Sequence, residues 1–208
     1  MQIIKKYFPD INYQQEKQFS QLQELYNHWN TQINVISRRS MNELYTEHVL
    51  HSLAIAKIID FKARTKVLDF GTGGGFPGIP LAILFPNVDF LLVDSIAKKI
   101  RVVSEVKKEL KLNNVRILQE RAENIKETFD FVLSRGVTKM PTFKKWVKNK
   151  FNRVHNNTLN NGILYLKGGD LTEELKGIKY RNYKISDFFY ESFFESKKLV
   201  YIGFPHDF

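Results

Sequence analysis

The stretch Lys66-Val-Leu-Asp69-Phe-Gly71-Thr-Gly73-Gly-Gly75-Phe76-Pro77-Gly78-Ile-Pro-Leu-Ala-Ile-Leu-Phe85 decides how this 208-residue chain is read. Lys66–Phe70 is a short apolar run and predicts a buried strand. Pro77 stands in the first turn of a helix to Phe85, where a missing N–H costs little. The glycines between them make a strand-to-helix turn that permits positive φ and lets a ligand approach the backbone. Downstream, Val88–Val93 is a second strand ending at Asp94, and Ser95 caps a helix through Leu110. Val115–Leu118, Phe129–Ser134 and Gly162–Leu166 are further strands, with a helix from Met140 to about His155. Lys179–Ser186 and Lys197–Phe204 complete a set of seven strands as an edge hairpin, with one strand antiparallel. Strands alternating with helices predict an α/β chain with a mostly parallel seven-stranded sheet and helices on both faces, occupying residues 61–208. Upstream, Phe19, Leu22, Leu25, Tyr26 and Trp29 recur at helical spacing over Gln14–Asn30. Ser40 and Glu43 form a capping-box pattern opening a second helix to Ile59. Residues 1–60 are thus expected to be an N-terminal helical extension.

Two nucleotide-binding patterns overlap in the loop. Gly73-x-Gly75-x-x-Gly78 satisfies the dinucleotide fingerprint. Asp69-x-Gly71-x-Gly73-x-Gly75 satisfies the D-x-G-x-G-x-G pattern of S-adenosylmethionine enzymes. A dinucleotide brings a pyrophosphate that a neighbouring carboxylate repels. S-adenosylmethionine brings an ammonium and a sulfonium, which Asp69 attracts. Asp94, 23 residues after Gly71, suits a ribose diol in either class. Tyr180 and Lys184 match Y-x-x-x-K of short-chain dehydrogenases, but follow Gly177 in a segment read as extended, where the pair loses its helical spacing.

Composition narrows the class. With 43% apolar residues and no Cys, the chain is neither disordered nor a disulfide scaffold, and holds no cysteine-ligated zinc, iron–sulfur cluster or cysteine nucleophile. No run approaches the ~20 apolar residues of a membrane span, and the first fifteen residues lack a signal-peptide pattern. A cytoplasmic setting is expected. The net charge of +10 is confined to residues 61–208, since residues 1–60 carry six basic and six acidic groups. That distribution suits a polyanion partner, or solubility alone.

His48-Val-Leu-His51-Ser52, the GTGGGFPGIPLAI run from Gly71, Asp94-Ser95, Ala122-Glu123, Ser134-Arg135 and Leu166-Lys167-Gly168 stand in order. From about residue 20 to the C-terminus the chain resembles the bacterial small-subunit ribosomal RNA guanine-N7 methyltransferases, once named glucose-inhibited division protein B. The resemblance implies a Rossmann-like class I methyltransferase fold, S-adenosylmethionine as cofactor and a guanosine of 16S RNA as acceptor. It implies that Gly71 and Phe76 line the methionine and adenosine site, with Ala122 and Glu123 at the adenine and Arg135 beside the cofactor. Asp69, Gly73, Gly75 and Asp94 complete the expected cofactor set. The chain departs from the family at His51, where Asp is common, and at Gly136, where Ala is usual.

The chemistry agrees. Guanine N7 carries a lone pair and no proton, so transfer needs orientation rather than a base. The N/D-P-P-Y/F motif of amine methyltransferases is absent after the fourth strand, which reads Ser134-Arg135-Gly136-Val137. The missing Cys excludes the usual C5-pyrimidine route. Arg135 and Lys167 are the candidate catalytic residues. Arg135 orients guanine or a phosphate, or else pairs with a buried carboxylate. Lys167 contacts RNA or a carboxylate near the cofactor, or else is solvated at the sheet edge. Lys139–His155 holds six basic and no acidic residues, and its Lys144, Lys145 and Lys148, with Arg38, Arg39, Lys98 and Lys99, are the candidate contacts to the small subunit's 16S ribosomal RNA or an assembly intermediate. His48 and His51 lack a third ligand, so no metal is expected. Three rivals stay open: a methyltransferase with another acceptor, a nicotinamide oxidoreductase and a non-catalytic RNA binder.

Overall fold

The computed structural model describes residues 1–207. Strands β1 (Lys66–Phe70), β2 (Asp89–Asp94), β3 (Val115–Gln119), β4 (Phe131–Arg135), β5 (Gly162–Gly168), β6 (Arg181–Lys184) and β7 (Lys197–Gly203) form one sheet in the order β3-β2-β1-β4-β5-β7-β6. β7 runs antiparallel to both neighbours, and the other pairs are parallel. The strand order reverses between β1 and β4, which opens a crevice beyond their carboxyl ends.

Side chains of the central strands alternate between two cores, as the period of a strand requires. Val67, Phe90, Leu92, Phe131 and Leu133 face one, and Leu68, Phe70, Leu91, Val93 and Val132 the other. The first core is continuous with Phe19, Leu22 and Tyr26 of the N-terminal helices. The second is covered by Met140, Phe143 and Val147.

Helix α1 (Gln2–Tyr7) precedes the first expected helix, and α2 (Tyr13–Gln32) starts at a reciprocal capping box between Asn12 and Gln15. The expected helix from Ser40 to Ile59 is broken into pieces. α3 (Arg38–Met41) is capped by Ser37, whose hydroxyl accepts from Ser40 N, so the Ser40–Glu43 box does not form. A π-helical turn (Leu44–Leu50), α4 (His51–Leu53) and a 3₁₀ turn (Ala54–Lys57) follow. Changes of helical period of this kind are often found at functional sites. α5 (Gly78–Leu84) and α6 (Ala97–Glu109) lie where the sequence placed helices. Asp94 Oδ1 rather than Ser95 receives the first N–H leading into α6, that of Ile96. α7 (Met140–Val147) stops eight residues short of the expected His155. It stops because Lys150 turns inward to donate to the carbonyls of Glu123 and Ile125, while Phe151 bridges to Phe129. Val154, within the expected helix, is exposed. Among the described residues no helix is long and apolar enough to cross a membrane.

Candidate active site

The loop after β1 is built from backbone bonds and one buried carboxylate. Gly71 N and Thr72 N donate to Val93 O at 3.0 and 2.9 Å, which ties the loop to β2. Gly71, with φ at 72°, packs so closely on Val137 that an added Cβ would lie 2.5 Å from its Cγ2. Asp69 lies behind the loop, fully buried. Its Oδ2 accepts from Thr72 Oγ1 at 2.6 Å and from Gly78 N at 2.8 Å, while Oδ1 has no hydrogen-bond partner. Burial pushes this carboxyl up to about 6, against the pull of the two donors and of the Arg135 charge. Asp94 closes the other side. Its Oδ2 accepts from Gly73 N at 3.0 Å and its Oδ1 from Ile96 N at 2.9 Å. From the N-terminal helices, Tyr26 donates to Gly74 O at 2.6 Å and packs on the Phe76 ring.

Arg135, at the end of β4, donates to Glu47 O at 3.2 Å and to His48 Nδ1 at 2.8 Å, with its guanidinium 5.3 Å from the Phe76 centroid. Burial lowers it to about 10, and the Asp69 charge opposes that shift, so it stays a cation at neutral pH. A guanidinium only donates, so Nδ1 of His48 is the acceptor and the proton sits on Nε2. Burial first, and Arg135 second, depress His48 to about 3. His51 is likewise held neutral, well below its ordinary value, by burial and by the same arginine.

These elements surround a cleft of about 480 Å³, within the range of cofactor sites. Gly71, Gly73, Phe76, Asp94, Ala122, Glu123 and Arg135 line it. Asp69 and Gly75 do not line it. They build the loop from behind, Gly75 leaving space for Ile79 and the Tyr26 hydroxyl. Lys99 reaches the cleft, while Lys98, Arg38 and Arg39 are exposed outside it. Lys145 and Lys148 are exposed on and just beyond α7, and Lys144 is half-buried, donating to Asp207 O. Lys167 is not at the cleft. It forms an ion pair with Glu174 at 2.7 Å. Among the lining residues left unassigned in the sequence are Val35, Ile36, His48 and Trp146. Of these, only His48 stood in a motif that singled it out. Tyr180 and Lys184 lie at and within the extended strand β6, without the helical spacing of a dehydrogenase pair. Among the described residues no group of three or more His, Asp or Glu is placed to hold a metal.

The fold is that of the class I methyltransferases. A SAM-dependent methyltransferase from Aquifex aeolicus superposes with a TM-score of 0.58 at 16% identity, over 80% of this chain and 97% of that one. The precorrin-6y C5,15-methyltransferase of Geobacter metallireducens gives 0.55 at 15%, over 77% and 91%. The family model GidB, rRNA small subunit methyltransferase G, matches residues 15–199. The protein named Ribosomal RNA small subunit methyltransferase G in Flavobacterium psychrophilum is 58% identical over 203 residues, 97% of each chain. Its namesake in one strain of Bacteroides fragilis is 50% identical over 204, covering 97% of this chain and 99% of that one. The chain belongs to the GidB family of methyltransferases.

Proposed function

We propose that the cleft binds S-adenosylmethionine and that the chain methylates N7 of a guanosine in 16S ribosomal RNA of the small subunit. One observation carries the choice of cofactor. The N-terminus of α5, where a dinucleotide would set its pyrophosphate, already spends Gly78 N on the Asp69 carboxylate. An anion is repelled there, and a sulfonium and ammonium are attracted. Asp94 has lone pairs left for a ribose diol after serving Gly73 N and Ile96 N. Family membership supports the RNA acceptor, since the relatives carry that substrate in their names. We read residues 61–208 as the methyltransferase unit and 1–60 as an extension that seats its loop through Tyr26. The cell compartment of this reading is the cytoplasm.

The bound cofactor supplies a methyl group activated by its positive sulfur. The residues present supply position and charge. His48 is too weak a base to take a proton at neutral pH, and its Nδ1 lone pair is occupied. Asp69 is sealed behind the loop. That neither His48 nor Asp69 is poised as a base suits N7, which has no proton to lose. Arg135, held over Phe76, places fixed positive charge where a nucleobase carbonyl or a cofactor carboxylate is accepted. With methyl-labelled S-adenosylmethionine and small subunits from cells lacking this gene, label is expected in 7-methylguanosine of 16S RNA by mass spectrometry. Label in no RNA at saturating cofactor defeats the reading.

The cations flanking the cleft serve the RNA backbone. Reversing Lys145 and Lys148 to Glu is expected to weaken subunit binding and to reduce the slope of log affinity against log salt by roughly one to two. Cofactor affinity should stay within twofold by calorimetry. An unchanged salt slope removes these lysines from the interface.

A further inference from the structure

The chain between β4 and α7 is held in an unusual way. Four backbone polar groups of Val137, Thr138 and Met140 are answered by side chains from elsewhere. Val137 N and Thr138 N donate to the Tyr165 hydroxyl at 3.0 and 2.9 Å, and the same hydroxyl donates to Thr138 O at 2.9 Å. Lys167 Nζ also donates to Thr138 O, at 2.7 Å. Met140 N, the first amide of α7, donates to Glu174 Oε1 at 2.7 Å. Lys167 and Glu174 close the ring through their ion pair at 2.7 Å, with side chains 12% and 18% exposed. Both are thus largely removed from water, where breaking a pair is costly.

The held segment borders the cleft. Gly136 and Val137 line it, and Val137 packs against Gly71 of the glycine loop. It also stands where amine methyltransferases carry the motif that grips their acceptor. Tyr165 and Lys167 are two residues apart on β5, so both project to the same face.

We propose that Tyr165, Lys167 and Glu174 form a clasp that fixes residues 136–140 as the wall against which the acceptor base is set. Lys167 is then a positioning residue acting through Thr138, not a catalytic one. The inference rests on the cleft being the site of RNA methylation. It explains why a lysine at the carboxyl end of a central strand does not enter the cleft: its ammonium is committed to Thr138 O and to Glu174.

The test compares Lys167→Met, which keeps the aliphatic stem, with Lys167→Arg, which keeps a cation able to pair with Glu174. Single-turnover methyl transfer to small subunits is measured at saturating enzyme and cofactor, so that rate and amplitude separate. Lys167→Met should slow the rate between about tenfold and a hundredfold, the cost of a misplaced reacting group, with amplitude kept. Cofactor affinity should stay within twofold, and Lys167→Arg should recover much of the rate. Independently of activity, amide exchange at residues 137–140 should quicken in Lys167→Met and not in Lys167→Arg. A reduced amplitude with an unchanged rate means a merely structural role and overturns the proposal. So does an unchanged rate with unchanged exchange. If the wild-type protein transfers methyl to no RNA, the reading beneath the clasp falls and the clasp falls with it. Wild-type transfer with an indifferent variant sinks the clasp alone.

Discussion

Replacing Asp94 by alanine is expected to weaken S-adenosylmethionine binding about a hundredfold. The residue works twice. Its Oδ2 anchors the glycine loop through Gly73 N and its Oδ1 sets the start of α6 through Ile96 N. On the proposed reading its remaining lone pairs take the ribose diol. A hydrogen bond to a charged group is worth roughly 1.5–3 kcal/mol, so losing the anchor and the diol together comes to about 3 kcal/mol, two orders of magnitude in affinity. Asp94→Asn keeps one acceptor oxygen and should lose about tenfold. Calorimetry with the cofactor and with 2′,3′-dideoxyadenosine set against adenosine separates the two roles. Removing the hydroxyls should cost affinity in the wild-type protein and nothing further in Asp94→Ala, the signature of a shared interaction. Unchanged cofactor affinity in Asp94→Ala would remove the residue from the site.

The parts of this site that the sequence disclosed are those made by consecutive residues. Ala122, Glu123 and Arg135 were placed by the family resemblance, while the glycine loop from Gly71 and Asp94 sit at the carboxyl ends of strands that are short apolar runs with clear breaks. The sheet was legible for the same reason, including one antiparallel strand in its edge hairpin; that β7 is that strand, set between β5 and β6, came only from the fold. What stayed hidden comes from outside that frame. Tyr26 reads as one more apolar position of α2, and only the fold shows its hydroxyl on Gly74 O. Trp146 reads as core, and it does stack on Phe70, yet one side is left to the cleft.

The π-helical turn shows why periodicity failed between Ser40 and Ile59. Leu44, Val49, Leu50 and Leu53 must all face the core. Glu47 O must also meet Arg135, and His48 must reach Phe76. A regular helix cannot present both sets, so the chain changes period, with Ser52 Oγ donating to His48 O at 2.6 Å. The basic run after Lys139 misled for a related reason. Lys150, counted as one more surface cation, is 4% exposed and spends its ammonium on two carbonyls. A charge run is a surface only where the fold leaves no carbonyl to answer it.

Asp69→Asn is expected to gain stability relative to the wild-type protein as pH rises, by about 3 kcal/mol between pH 4 and pH 8. Folding raises this carboxyl from its ordinary 3.8 to about 6, chiefly by burial. A raised carboxyl favours the folded state only while protonated. That contribution is complete below pH 3.8 and is lost as pH rises through 6, at about 1.4 kcal/mol for each of roughly two pKa units. Asparagine keeps an oxygen for Thr72 Oγ1 and Gly78 N and has no charge to desolvate. Its new amide faces the position where Oδ1 has no partner, and that penalty of about 1–3 kcal/mol is the same at every pH. His48 and His51, buried and neutral, contribute stability above pH 6.5 that is lost as pH falls below it. Both proteins contain them, so they cancel in the difference. Urea unfolding of the two proteins at several pH values reads that difference directly, and a difference independent of pH would show that the carboxyl titrates in its ordinary range. The same variant should bind S-adenosylmethionine about tenfold more weakly, because the charge that opposes an anion at α5 also attracts the cofactor's cations. Stability gained while binding is lost marks Asp69 as a charge kept in the fold for its ligand rather than for folding.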